Sequence, residues 1–330
     1  KSGVLDTSWG VLSTPSAVVS IPDRYVAYVN KSGNDGTALV NDIAKPFLTV
    51  QAAINAAVAA GYVNSANRCN IFISPGIYTE NLTLASSVNL VSSSSQMDVT
   101  VRIEGEHVYA PVSGSIADNT VNLIGLYLSN GSASPLANPV LSLGGTVPCR
   151  VRLLDTSVDM SAAASTSNAV VVNNSNAVLY VSCNLTMAKI ERRGAAADSV
   201  QVISGTFSSF GCDVAAGTGR AIDIAGGTCT FAYGTLSSSG SEVVRCTGVS
   251  TVLNVATAAI TNSLANQNGI NNNGSTVTLG QVLFNVTGTG YCATGTGPVV
   301  YAYLSFATAN TKFKNTLTPL PLAVAPTSVP

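Results

Sequence analysis

The side chains in this sequence best suited to chemistry are Asp155 with Asp159 on one segment and Asp223 with Arg220 on another. Two carboxyls held about 5 to 9.5 Å apart can divide the work of glycoside hydrolysis, one as acid and the other as base or nucleophile. Asp155 and Asp159 straddle a bend, so spacing alone does not set their separation. The plainer expectation is a pair of solvated side chains on an outward face. Glu191-Arg192-Arg193 with Asp198 is the densest cluster of charge. Guanidinium forks match carboxylates and could grip an acidic sugar, but such clusters more often form a loop's own ion pairs or a subunit contact. His107, the sole histidine, has no evident partner that would make it a base and reads as an ordinary loop residue. No catalytic residue is assigned; Asp155, Asp159, Asp223 and Arg220 stand as the candidates for an enzymatic alternative.

Neither a metal nor a cofactor is expected. The seven cysteines (Cys69, Cys149, Cys183, Cys212, Cys229, Cys246 and Cys292) include no Cys-x-x-Cys pair, and a single histidine does not make a zinc site. Several lie in apolar segments, where cysteine behaves as a small hydrophobe. Mostly free, buried thiols are expected, with Cys183, Cys229 and Cys246 unpaired, which suits assembly in a reducing cytoplasm. Charged residues make up 9% of the chain, far below the usual ~25%. The hydrophobic fraction of 46% argues against disorder. A net charge of −1 with no basic run excludes nucleic acid as the expected partner. No apolar run approaches the ~20 residues that span a bilayer.

What would position these side chains is a loose repeat. VNLIGLYL, VRLLDTSV, VLYVSCNL, VQVISGTF, CTFAYGTL, VLNVATAA, VTLGQVLF and VVYAYLSF begin at Val121, Val151, Val178, Val200, Cys229, Val252, Val277 and Val299, 22 to 30 residues apart. Periods of this length with β-branched columns mark stacked strand coils. A second strand precedes most of them: PVLSLGG, AVVVNNS, RAIDIAGG, EVVRCTG, GINNNG and YCATGTG. Corners rich in Gly and Asn follow, because these residues tolerate positive φ. Asn173, Asn174, Asn176 and Asn271 to Asn273 are expected to stack there as amide ladders. Parallel neighbours joined by crossovers wind right-handed. The fold expected is all-β, a right-handed parallel β-helix.

Its ends differ from its middle. Val50, Ala53, Ile54, Ala57 and Val58 follow the spacing of an amphipathic helix, predicted over about 47–60. Laid across the first coil, it would cover an open core and an unpaired edge. Residues 1–25 are broken by Pro15 and Pro22, and 313–330 by Pro319, Pro321, Pro326 and Pro330. Both read as extended arms flanking a β-helix domain at 26–312. They keep apolar side chains such as Trp9 and Leu322, so they are expected to order only against a surface, the solenoid's flank or a neighbouring protein.

PFLTVQAAINAAVAAG followed by NIFISPGIYTENLTL resembles the opening of pectin methylesterases and related members of the pectin-lyase-like superfamily. The matching residues are Phe47, Thr49, Val50, Gln51, Ala53, Ile54, Ala56 and Ala57, then Gly76, Tyr78 and Glu80. The resemblance covers about forty residues and implies the capped β-helix. It does not extend to activity. In GTCTFAYG, Thr230 stands where the esterases carry an aspartate, and their Q-D and L-G-R-P-W motifs are missing. The Asp-Asp and G-H-G signatures of polygalacturonases are missing too, and no acidic cluster like that of pectate lyases is evident. Superfamily members without these signatures look like phage tailspikes and the capsid decorations of large DNA viruses.

The leading expectation is thus a non-enzymatic structural or attachment protein of a virus particle, assembled in the host cytoplasm. Its partners would be other particle proteins, contacted through the arms, a host surface glycan, and further copies of itself as a homo-oligomer. One alternative is a polysaccharide-active enzyme with an atypical site in the groove. Another is a secreted, extracellular carbohydrate-binding adhesin, with Tyr233, Tyr301 and Tyr303 as its exposed aromatics.

Overall fold

In a computed structural model the chain forms a right-handed parallel β-solenoid of about 8 turns. The structure describes residues 25–94, 101–130, 138–160, 166–183, 188–193, 197–306, 313–314 and 317–319. Most of both expected arms lies outside these residues.

Each turn lays one strand on each of three faces. The first face runs from Tyr25–Val29 and Cys69–Ile73 through Thr120–Ile124, Cys149–Leu154 and Thr228–Ala232 to the start of Val299–Phe306. The second carries Gly76–Thr79, Val101–Glu104, Leu126–Ser129, Ser157–Met160, Lys189–Arg192, Asp213–Ala216, Thr235–Ser238 and Ala258–Asn262. The third carries His107–Tyr109, Leu141–Leu143, Ile222–Ile224, Val244–Cys246 and Ile270–Asn272, with the opening residues of Val170–Ser182 and Val200–Phe210 between. The segments expected to precede the Val column make up this third face. Every pairing between strands is parallel, as stacked coils require.

Alternation along each strand sends one set of side chains inward. Val151, Leu179, Phe207, Cys229, Leu253, Val277 and Val299 stack in register, and all are fully buried. Each such side chain contributes roughly 1.5 to 3 kcal/mol by leaving water. The column expected from sequence was partly misaligned. Val178 and Val252 sit one residue off, outward, beside inward Leu179 and Leu253, and Val200 belongs to the third face. A shift of one residue exchanges the two faces of a strand, so a Val-rich string fixes the strand more firmly than its register.

The predicted helix is present over Val50–Ala59, with Val50, Ala53, Ile54 and Ala57 buried. Val58 is on its exposed side, contrary to expectation. Thr49 caps it, accepting from the Ala52 amide. The Glu80 carboxylate receives the amides of Val50 and Gln51 at 2.9 and 2.8 Å. Gln51 in turn accepts from the Thr83 amide at 2.8 Å. The conspicuous polar residues of the entrance are therefore fasteners, satisfying helix-end donors that would otherwise be orphaned. Tyr25–Val29 adds a strand ahead of the helix, pairing with Cys69–Ile73. At the other end Leu317–Pro319 pairs beside Val299–Tyr301.

The asparagines act differently from the expected ladders. Asn174 and Asn272 are buried and donate to backbone carbonyls across the corner, Gly144 and Val147 for one, Ser275 and Pro298 for the other. A true amide ladder lies on the first face, where Asn89 donates to Asn70 and Asn122 to Asn89.

Candidate functional site

The corner between the first and second faces is a single column of positions in register. It reads Gly125, Asp155, Cys183, Gly211, Tyr233, Thr257, Gln281 and Tyr303 down the solenoid. The chain turns here with positive φ at Gly125, Asp155, Gly211, Tyr233 and Thr257. Aspartate is among the few residues that visit this region readily, which accounts for Asp155 as a turn residue. Asp159 lies four residues on, inside the second face. At about 3.3 Å of rise per residue the two backbones stand roughly 10 Å or more apart. Asp159 points outward but, contrary to expectation, is not solvated: it is 4% exposed and accepts a hydrogen bond from the Tyr127 hydroxyl at 2.5 Å. Its second oxygen has no hydrogen-bond partner among the described residues.

Around Asp159 the second face is charged and closely paired. Glu104, Ser129, Asp159 and Glu191 occupy one outward column. Arg102 binds Glu104 at 2.8 Å and lies over the Tyr127 ring at 5.4 Å. Glu191 takes Lys189 at 2.5 Å and Arg193 at 2.8 Å. Burial works to raise the Glu191 carboxyl, but the hydrogen bonds from Arg193 and Lys189 outweigh it and hold the group below its usual range. The expected Glu191-Arg192-Arg193-Asp198 cluster is split by alternation. Arg192 turns inward, fully buried, and donates to the carbonyls of Ser167, Met160 and Arg193. Its burial lowers the guanidinium pKa, with Asp159 partly opposing.

Asp198 belongs to a second network, on and beside the third face. Arg220 reaches Asp198 at 3.4 Å and Glu242 at 2.7 Å. Asp223 is not the partner of Arg220, as sequence proximity suggested. It sits on the adjacent rung from Arg245, which grips it with two hydrogen bonds of 2.8 Å. Burial pushes the Asp198 carboxyl up, against the pull of Arg220. His107 is likewise no loop residue. It opens a third-face strand, is 1% exposed, and neither ring nitrogen has a partner at hydrogen-bond geometry among the described residues. Burial lowers its pKa to about 4, with the Ile103 carbonyl and Glu106 offsetting only part of that.

Most cysteines are buried thiols, as expected, and Cys229 and Cys246 are unpaired; the departure is Cys183, which was expected to be unpaired. Cys183 forms a disulfide with Cys212, their Cα atoms 5.4 Å apart, while Cys69, Cys149, Cys229 and Cys246 are free and buried, and Cys292 is a buried thiol. The separation of 29 residues is one coil, so the period itself held the signal. Among the described residues no group of three or more His, Cys, Asp or Glu is placed to hold a metal ion, and no helix is long and apolar enough to cross a membrane.

Below Arg245 the character of the surface changes. From Cys246 to Thr311 the sequence contains no charged residue. Tyr233 and Tyr303 are 55% and 64% exposed, whereas Tyr301 packs partly against the core. A shallow pocket of about 300 Å³ opens on the second face, lined by Thr257, Gln281, Leu283, Tyr303 and Ser305 among others. A second, of about 550 Å³, lies near the entrance between Tyr28, Phe72 and Ile43. Neither the family models nor the curated proteins nor the solved structures compared with this chain contain a match.

Proposed function

We propose that this chain is a non-catalytic structural or attachment component of an assembled particle, a virion in the first instance, that offers its long faces to neighbouring proteins and to host glycans. The observation that carries this reading is the committed state of its clustered carboxylates. Glu104, Glu191, Asp198, Asp223 and Glu242 are each held by arginine or lysine, and Asp159 by a tyrosine hydroxyl. A hydrolase needs one protonated carboxyl facing one free carboxylate across a substrate. Burial pushes Glu191 and Glu242 up, but hydrogen bonds from their cations hold both below the usual range, which makes them poor acids. The entrance resembles that of pectin-lyase-like proteins, which speaks for a scaffold and is silent on chemistry.

Incubation with pectin, polygalacturonate and neutral glucans should release neither methanol nor new reducing ends. Turnover that disappears in Asp159→Asn or Asp223→Asn would overturn the reading. Its particle half is tested by removing residues 320–330: the coil should stay folded while incorporation into purified particles falls. A second reading, a secreted adhesin, is favoured by one observation, since the Cys183–Cys212 disulfide suits an oxidising compartment. Recovery of the protein from culture medium rather than from particles would select it.

A further inference from the structure

We infer that the lower corner of the solenoid, from Tyr233 to Tyr303, is a binding subsite for a neutral oligosaccharide. This deepens the glycan half of the proposed function and rests on it. Tyr233, Thr257, Gln281 and Tyr303 occupy successive rungs of one column, about 4.8 Å apart. Two exposed phenol rings thus flank a hydroxyl and an amide along a straight line. Aromatic faces cover the apolar face of a pyranose, and short polar side chains between them can meet its hydroxyls. Thr257 and Gln281 lie 3.4 Å apart and both line the pocket.

Two further observations point to a ligand. Tyr233 and Thr257 hold φ of 58° and 48°, in the left-handed region. The same corner position is glycine at Gly125 and Gly211, and a bulky or β-branched side chain there is strained. Strain retained where a relaxed alternative exists marks a position kept for what its side chain does. The ring is also held: Phe210 packs on Tyr233 at 4.7 Å between centroids, so little mobility is lost on binding. The charge-free stretch from Cys246 to Thr311 selects the ligand class. An acidic sugar would find no cation in the pocket lining, whereas a neutral one needs none.

The test uses the full chain, titrated with short neutral hexose oligomers (cello-, manno- and galacto-series) and with oligogalacturonate, read by tyrosine fluorescence and calorimetry. A neutral oligomer should bind saturably, and Tyr303→Ala and Tyr233→Asn should each weaken it by about tenfold. Asparagine accepts positive φ, so Tyr233→Asn should keep the wild-type melting temperature while losing affinity. Tyr180→Ala, on the first face, should bind as wild type. Neutral binding that survives both corner variants overturns the subsite and leaves the glycan reading intact. Preference for oligogalacturonate overturns the neutral class alone. If no oligomer of either kind binds, the subsite and the glycan half of the proposed function fail together. Self-association by light scattering that Tyr303→Ala abolishes, without sugar binding, would assign the corner to a second copy instead.

Discussion

The upper and lower halves of this solenoid share a backbone and differ in almost everything outside it. Between Arg102 and Arg245 six ion pairs are found among the described residues, several of them largely shielded. Below Arg245 the outward columns carry hydroxyls, amides and exposed rings, with no charge until Lys312. The interior stays largely apolar across this boundary: after a buried Ser209, Phe231, Val255 and Leu279 continue the column of Leu123, Leu153 and Val181. Stability therefore comes from the inward set on every rung, while the outward set is free to differ. In a solenoid each rung depends mainly on its neighbours, so two halves with different surfaces can coexist and respond separately.

The largest expected effect lies within the charged half. Cys183–Cys212 ties two neighbouring rungs of that half, above the boundary at Arg245. Closing a loop of this length contributes about 3.6 kcal/mol through the unfolded chain. Reduction, or Cys183→Ser, should lower the thermal midpoint clearly and split the transition. A single transition, lowered as a whole, would mean that the two halves unfold as one unit, and the contrast would then be only skin-deep.

Acid should find the upper half first, through His107. In the unfolded chain its imidazole takes up a proton near pH 6.5, in the folded chain only near 4. The unfolded state thus binds the extra proton between these values. Stability is fully present above about pH 6.5 and falls as the pH drops towards 4, by about 3 kcal/mol. His107→Leu should flatten that slope. Hydrogen exchange at pH 4.5 should quicken around residues 101–129 before residues 252–286, and the reverse order would remove His107 as the sensor.

A smaller effect is expected from Asp223→Asn, which leaves the Arg245 guanidinium beside an uncharged partner. Because Arg245 is a third exposed, the cost should be about 2 kcal/mol rather than that of a fully buried pair. Chemical denaturation would measure it, and a change below about 0.5 kcal/mol would show that the third-face network is ornamental. Smallest is Glu191→Gln on the second face, expected to cost at most about 1 kcal/mol and to shrink further in high salt. A comparable salt dependence in a variant of the neutral half, such as Gln281→Ala, would erase the distinction drawn between the two.

The period of 22 to 30 residues, the β-branched and glycine-rich strings, and the amphipathic spacing of the helix were enough to define a capped parallel solenoid. These are local signals, and stacked coils repeat them on every turn. The uncharged stretch was equally open to reading, being a matter of composition. What the chain alone did not settle was which neighbour each outward side chain meets. Return segments of unequal length separate the rungs, so sequence distance does not convert into register. Asp223 passed over nearby Arg220 for Arg245, Cys183 met Cys212, and Arg192 turned inward between outward Glu191 and Arg193. Strand alternation has a period of two and coil length varies by more than that, so only the stacked structure decides which residues share a column.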